Sequence, residues 1–265
     1  LVRVFGSSAV PLTHQDIEVA SLDSCLKLKE VKPEVIINCA AYHKTDECED
    51  NPEKTFAVNT IGAFNVAKVA SEIGALNVYI STDYVFDGKK EGPYYEDDQP
   101  NPINIYGVSK FAGEVVTKNY SGRYYIARVS SLFGVAGASG KGGNFVETMI
   151  TKSSEVDKLK VVNDIVMSPT FTLDAAKKIK ALVEMNATNG IYHLANEGAC
   201  TWYDFACTIF EILDIDVEVE PISSKEFPSK AKRPENSSLA SKNKLENRSW
   251  KEALEEYLQL KGHLK

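Results

Sequence analysis

The sequence lacks any run of lysine and arginine, any apolar stretch long enough to cross a bilayer, and any internal repeat or low-complexity segment. The first absence argues against nucleic acid or another polyanion as a partner. The net charge of −7, from 30 Lys and Arg against 37 Asp and Glu, points the same way. The second argues against a membrane protein, and no signal peptide is visible at the start. Cysteine is sparse: Cys25, Cys39, Cys48, Cys200 and Cys207 form no CxxC pair and show no zinc-ligand spacing with a histidine. Each reads as a small buried hydrophobe, and a reduced, cytoplasmic compartment is the simplest setting. His14, His43, His193 and His263 show no metal spacing either, so no metal is expected.

What is present is the alternation of an α/β protein. A hydrophobic content of 43% over 265 residues suffices for one large α/β domain, alone or with a smaller partner. Glu34 to Ala41 is a continuous apolar run, the pattern of a strand buried on both faces. Asn51-Pro52 opens a long helix that Gly74 closes, and Phe56, Val58, Ile61, Phe64, Ala67 and Ala70 supply its apolar face. A strand at Val78–Ile80, a helix from Tyr106 to about Lys118 and a strand at Tyr124–Val129 follow. A short strand is also expected at Ile17–Ala20. This order implies a parallel sheet with right-handed crossovers, a Rossmann-like doubly wound fold. Residues 1–134, with 165–195 returning to them, form the expected dinucleotide-binding domain. Residues 135–164 and 196–265 form a smaller substrate-binding lobe, with a helix capped by Thr201 and a final helix near Trp250–Leu260.

Tyr106-Gly-Val-Ser-Lys110 is the central chemical feature. Tyr and Lys four apart lie one helical turn from each other on the same face. An ammonium beside a phenol favours the phenolate and lowers its pKa, so the pair can deliver a proton to a carbonyl oxygen. Taken alone, the spacing fits a chance surface pair equally well. Ser81-Thr-Asp-Tyr-Val-Phe86 directly follows a buried strand, where open parallel sheets bind ligands. Thr82 can place a hydroxyl on the same carbonyl oxygen, and Asp83 can orient a sugar hydroxyl. Ser81 stands on the cofactor side, although a turn would satisfy it as well. Ala40 and Ala41, after Asn38-Cys39, let a planar ring or ribose approach the backbone, or simply pack tightly. Tyr42 and His43 follow along the same edge. Asn59 can tie backbone and water near the lysine, or be a helix-surface amide. Asp23 can meet the adenine end of a dinucleotide, or cap the helix after it. Arg233 can grip a diphosphate bidentately, or be a solvated charge. Gly134-Val-Ala-Gly137-Ala-Ser-Gly140 has phosphate-loop spacing in the wrong place, after a late strand, and reads as a mobile loop.

Together these segments resemble the dTDP-4-dehydrorhamnose reductase family of extended short-chain dehydrogenases. The resemblance rests on Val35–Ala41, Ser81–Phe86, Pro102–Lys110, Gly143–Met149, Ser168-Pro-Thr170 and Lys232–Ser237, in the family's order. It implies reduction of the C4 ketone of dTDP-6-deoxy-L-lyxo-4-hexulose to dTDP-L-rhamnose by NADPH or NADH. Tyr106 would be the proton donor, Lys110 its pKa-lowering neighbour and ribose ligand, and Thr82 and Asp83 substrate contacts. Ala41, Tyr42 and His43 would lie along the cofactor and Asp23 near the adenosine, with Asn144 and Arg233 at the nucleotide-sugar. A homodimer is compatible with the family. The chain departs from the pattern twice. Ser131, in Arg128-Val-Ser-Ser131, stands where the family usually has Trp, which keeps a related nucleotide-sugar 4-reductase or epimerase open. The sequence also begins at Leu1-Val-Arg-Val-Phe5, which reads as late in a first helix. Relative to the usual fingerprint, roughly 20–30 residues of strand and glycine loop are expected to be missing. That keeps open a non-catalytic binding subunit resembling the regulatory subunit of methionine adenosyltransferase.

Overall fold

A computed structural model describes residues 1–136, 143–243 and 245–264. Its centre is a parallel sheet of β1 (Val35–Asn38), β2 (Leu76–Thr82), β3 (Arg123–Val129) and β4 (Gly190–His193), which neighbour one another in that order. Ile37 pairs with Val78, Val78 with Tyr125, and Ala127 with Tyr192.

The two faces of the sheet differ in chemistry because side chains alternate along each strand. Leu76, Val78, Tyr125, Ala127 and Val129 pack with Ala175, Ile179 and Leu182 of the helix Thr172–Glu184. The opposite face, under the helix Ile105–Tyr120, carries Asn77, Tyr79, Ser81 and Arg128, all buried. Polar side chains there are costly unless paired, and most of their groups are: Asn77 Nδ2 donates to Ser121, Tyr79 to the Asn59 carbonyl, and Ser81 to Glu114, while the buried Asn77 Oδ1 has no partner among the described residues.

Helix 52–73 is α-helical over Pro52–Phe56, widens to a π turn over Ala57–Ile61 and is α-helical again over Gly62–Ile73. Gly74 ends it in the left-handed conformation at φ 71°. The π turn rotates the helix relative to regular spacing. Ile61, expected on the apolar face, is therefore 49% exposed, while Asn59, Ala63, Val66 and Val69 are buried. The expected strand at Ile17–Ala20 does not form. The Val19 side chain packs where a Gly62 side chain would stand, 2.7 Å from its Cβ position, and the Val19 carbonyl accepts from Asn65. With its polar groups so engaged, the segment is turn and coil.

A second apolar cluster joins Phe133, Phe171, Phe205, Trp250, Leu254 and Tyr257. Around it lie the helices Phe145–Ser153, Trp202–Leu213 and Trp250–Lys261, and a parallel pair of strands, Lys158–Val162 with Glu218–Ile222. Thr201 and Ser249 start their helices with capping boxes closed by Asp204 and Glu252. Of the segment expected as a mobile loop, Gly137 and Gly140 lie outside the described residues.

Candidate active site

The C-terminal ends of β1 and β2 meet the N-terminus of helix Ile105–Tyr120, and Tyr106 stands at that junction. Asn104 caps the helix, accepting from Gly107 N at 2.7 Å, and its amide reaches across to the Lys232 carbonyl at 2.8 Å. Gly107 is required by contact: a side-chain carbon there would lie 2.1 Å from the Tyr84 carbonyl. The helix start is thus pressed onto the turn after β2, which brings the Tyr106 side chain beside that of Thr82. Tyr84 packs edge-on against the Tyr106 ring, with centroids 6.0 Å apart.

Thr82 Oγ1 donates to Asp83 at 3.0 Å and accepts from Tyr84 N at 3.2 Å. The Asp83 carboxylate also accepts from Ser130 at 2.9 Å and Ser237 at 2.6 Å. Burial pushes its pKa up to about 6 against the pull of these hydroxyls. Expected to hold a sugar hydroxyl, Asp83 instead faces inward, with 4% exposure. It ties the end of β2 to the segment that carries Arg233. The alternation of β2 turns Ser81, expected on the cofactor side, under the helix, where it donates to Glu114 at 2.6 Å.

Lys110 is buried beside β2, its Nζ donating to the Ile80 carbonyl at 2.6 Å. Loss of hydration pulls its pKa down to about 7, with Glu114 opposing. Tyr106 is raised above the ordinary phenol value, by burial first, with Thr82 opposing. The expectation that Lys110 lowers the Tyr106 pKa is not met in this geometry, because the ammonium bonds the strand carbonyl.

Asn59 lies in the π turn and is fully buried, not a surface amide. Its Oδ1 accepts from Tyr42 N at 2.8 Å, and its Nδ2 donates to the Tyr42 carbonyl at 3.0 Å and to Ser109 at 2.9 Å. It clamps the 40–43 turn to helix Ile105–Tyr120. Ala40, Ala41 and His43 are half-buried along this edge, with His43 Nδ1 3.4 Å from the Ala41 carbonyl. The Tyr42 hydroxyl donates to Glu47 at 2.9 Å. Asp23 is exposed in the first turn of Leu22–Cys25, and Ser21, not Asp23, caps that helix.

Arg233, Asn144, Lys44, Asp46 and Phe145 help line a cavity of about 620 Å³. Arg233 Nη2 lies 3.4 Å from Asp46, and its Nε donates to Ser229 at 3.2 Å. Its guanidinium also lies beside the Tyr84 side chain, whose ring packs against that of Tyr106. Asn144 caps the helix Phe145–Ser153, and its amide donates to Gly134 O and Tyr257. Ser131 follows β3 with φ 41°, an unusual backbone for serine, and its carbonyl accepts from Thr170 N.

Three residues escaped the sequence reading. Glu114 lies one turn beyond Lys110 and two beyond Tyr106, a stripe visible as i, i+4, i+8. It takes a fork of bonds from Arg128, 2.8 Å from Nε and 2.7 Å from Nη2. His193 completes the chain: its Nε2 lies 3.4 Å from Arg128 Nη1 and its Nδ1 2.8 Å from the Ala240 carbonyl. Burial, and then Arg128, lower the His193 pKa to about 4, so it is neutral and can accept from the arginine.

Gly88 joins the turn after β2 to the Arg233 segment. Its φ is 79°, and a side-chain carbon would lie 2.6 Å from both Glu235 N and the Pro234 side chain. Gly88→Ala is expected to cost at least about 1–3 kcal/mol in urea unfolding and to raise KM for any ligand held by Arg233.

Over residues 3–262 the chain matches the family model of the RmlD substrate binding domain. It is 36% identical over 259 residues to the spore coat polysaccharide biosynthesis protein SpsK of Bacillus subtilis, covering 96% of this chain and 89% of that protein. Among solved structures, a dTDP-4-dehydrorhamnose reductase from Clostridium acetobutylicum superimposes with a TM-score of 0.90 at 39% identity, over 97% of this chain and 92% of that one. The dTDP-4-dehydrorhamnose reductase from Bacillus anthracis, in complex with NADP, gives 0.90 at 37% identity, over 95% and 89%.

Proposed function

The chain belongs to the RmlD substrate binding domain family, and on that footing we propose that it is an oxidoreductase of the dTDP-4-dehydrorhamnose reductase type. It reduces the C4 ketone of dTDP-6-deoxy-L-lyxo-4-hexulose to give dTDP-L-rhamnose. NADPH or NADH supplies the hydride, and the NADP complex of the B. anthracis relative supports NADPH. The observation that carries this reading is the Tyr106–Thr82 hydroxyl pair at the end of β2, joined through Tyr84 and Arg233 to a cavity large enough for a nucleotide-sugar.

The residues at the end of β1 fit a nicotinamide cofactor. Ala40 and Ala41 are small and half-open, and Cys39 is exposed, so a ring or ribose can lie close to the backbone. When bound, the cofactor delivers hydride to the carbonyl carbon. Tyr106 holds the proton the carbonyl oxygen needs. Its raised pKa keeps it protonated, and it still transfers easily because an alkoxide is a stronger base than a phenolate. Thr82 orients the phenol, and Asp83 fixes Thr82 by accepting a hydrogen bond from its hydroxyl. Lys110, held at the Ile80 carbonyl, binds a ribose hydroxyl. Arg233, with Asn144 at the cavity wall, meets the diphosphate, which must displace Asp46 from the guanidinium.

The same reading divides the chain into a dinucleotide-binding domain, 1–134 with 165–195, and a substrate lobe, 135–164 with 196–265. The separate apolar clusters under the sheet and around Phe205 support it. Cytoplasmic placement is supported by the five free cysteines. No helix among the described residues is long and apolar enough to cross a membrane. Ser131, with no aromatic wall to offer, supports a related 4-reductase or epimerase as the second reading. The test is incubation with the keto-sugar and NADPH or NADH, following nicotinamide absorbance and identifying the sugar by NMR. Stoichiometric oxidation with dTDP-L-rhamnose as product is expected. A different C4 epimer would favour the second reading, and no oxidation with either cofactor would sink both.

A further inference from the structure

Lys110 is a buried cation without a carboxylate of its own. The residue is 2% exposed, and among the described residues no carboxylate lies within ion-pair distance of its Nζ. Glu114, one turn along, is committed to Arg128 and Ser81. One neutral carbonyl, that of Ile80, accepts from Nζ. A buried ammonium needs more than that. The Tyr79 ring lies beneath it, with Nζ 4.0 Å from the ring centroid. At that distance the negative π face meets the cation directly, in a setting stripped of water.

The other end of Tyr79 is fixed as closely. Its hydroxyl donates to the Asn59 carbonyl at 3.0 Å, inside the π turn, with the Lys110 carbonyl 3.5 Å away. A side-chain carbon on Gly113 would lie 2.2 Å from the Tyr79 hydroxyl and 2.6 Å from the Asn59 carbonyl. The absence of a side chain at Gly113 is what lets the phenol pass between the two helices. Tyr79 therefore touches the lysine, its helix and the π turn that carries Asn59.

We infer that Tyr79 is a positioning residue for Lys110: its ring face holds the lysine's charge and its hydroxyl anchors the π turn beside it. This rests on the role given to Lys110 above. It makes the electronic character of the ring, and not only its bulk, part of the active site.

The test compares Tyr79→Phe with Tyr79→pentafluorophenylalanine in the full chain. The two rings are close in shape, but fluorination removes the negative face. Thermal melts establish that both variants fold. Tyr79→Phe keeps the ring face but gives up the hydroxyl's anchor on the Asn59 carbonyl, so it is the reference for the ring alone and is expected to lower NADPH affinity by about two- to threefold. The fluorinated variant is expected to bind NADPH about tenfold more weakly. The basic limb of its kcat/KM profile should move down by about one pH unit, because Lys110 then loses its proton more readily. Equal affinities and equal limbs in the two variants would overturn the inference. Lys110→Met separates this from the reductase reading. If Lys110→Met impairs NADPH binding while the two ring variants match, only the role of Tyr79 fails. If Lys110→Met leaves binding and turnover untouched, the role of Lys110 fails and this inference fails with it.

Discussion

Tyr106→Phe is expected to lower kcat by about 10²–10⁴-fold, the range of a lost general acid, while KM for the nucleotide-sugar changes little. The split follows from what the substitution removes. Phenylalanine keeps the ring and its edge contact with Tyr84, and the Gly107 approach to the Tyr84 carbonyl stays as it is. Thr82 keeps its bond to Asp83. Only the proton donor goes. Steady-state kinetics with the keto-sugar and NADPH measures both parameters, and a fluorescence titration with NADPH checks that the cofactor site is intact. A rate within a few-fold of the unmodified chain would remove Tyr106 from the chemistry. A large rise in KM with kcat unchanged would make it a binding residue.

Arg128→Met is expected to be the most damaging single change to stability, at about 3–5 kcal/mol. Arg128 and Glu114 are both essentially inaccessible, with side chains 1% and 2% exposed. Removing the guanidinium leaves a carboxylate in the interior with Ser81 as its remaining donor, and takes a partner from His193. The cost is mostly that of the orphaned charge, so Glu114→Met together with Arg128→Met should cost less than Arg128→Met alone. Urea unfolding of the two single variants and the double variant gives the coupling. A double variant less stable than Arg128→Met would show that the pair contributes by its own attraction.

The sequence carried the parts of the site that local patterns encode. The apolar run at 34–41, the strand at 78–80, the Thr201 cap and the Tyr106–Lys110 spacing are all short-range signals, and the structure contains each element. Ser81 was legible in principle. Alternation puts it on the face of Asn77 and Tyr79, and three polar groups on one face of a buried strand imply a polar partner, which Glu114 supplies. Asp83 was harder, since Ser130 and Ser237 lie 47 and 154 residues away along the chain. The π turn has no reliable sequence signature, and it alone moves Ile61 out and Asn59 in. At Ile17–Ala20 two alternating apolar residues looked like a strand, but Val19 was committed to Gly62 and Asn65 instead.

The unlike faces of the sheet also bear on how the chain avoids folding wrongly. Along β2, Leu76, Val78 and Ile80 meet the apolar cluster while Asn77, Tyr79 and Ser81 meet hydrogen-bonding partners. A slip of one residue would exchange the two sets. It would push an amide, a phenol and a hydroxyl among Ile179 and Leu182, and set three aliphatic chains against Glu114 and Arg128. An ordinary parallel strand, greasy on both sides, would absorb such an error with little loss. Here a misaligned β2 is penalised on both surfaces at once, so the residues beneath the active site also proofread the alignment of the strand that carries it.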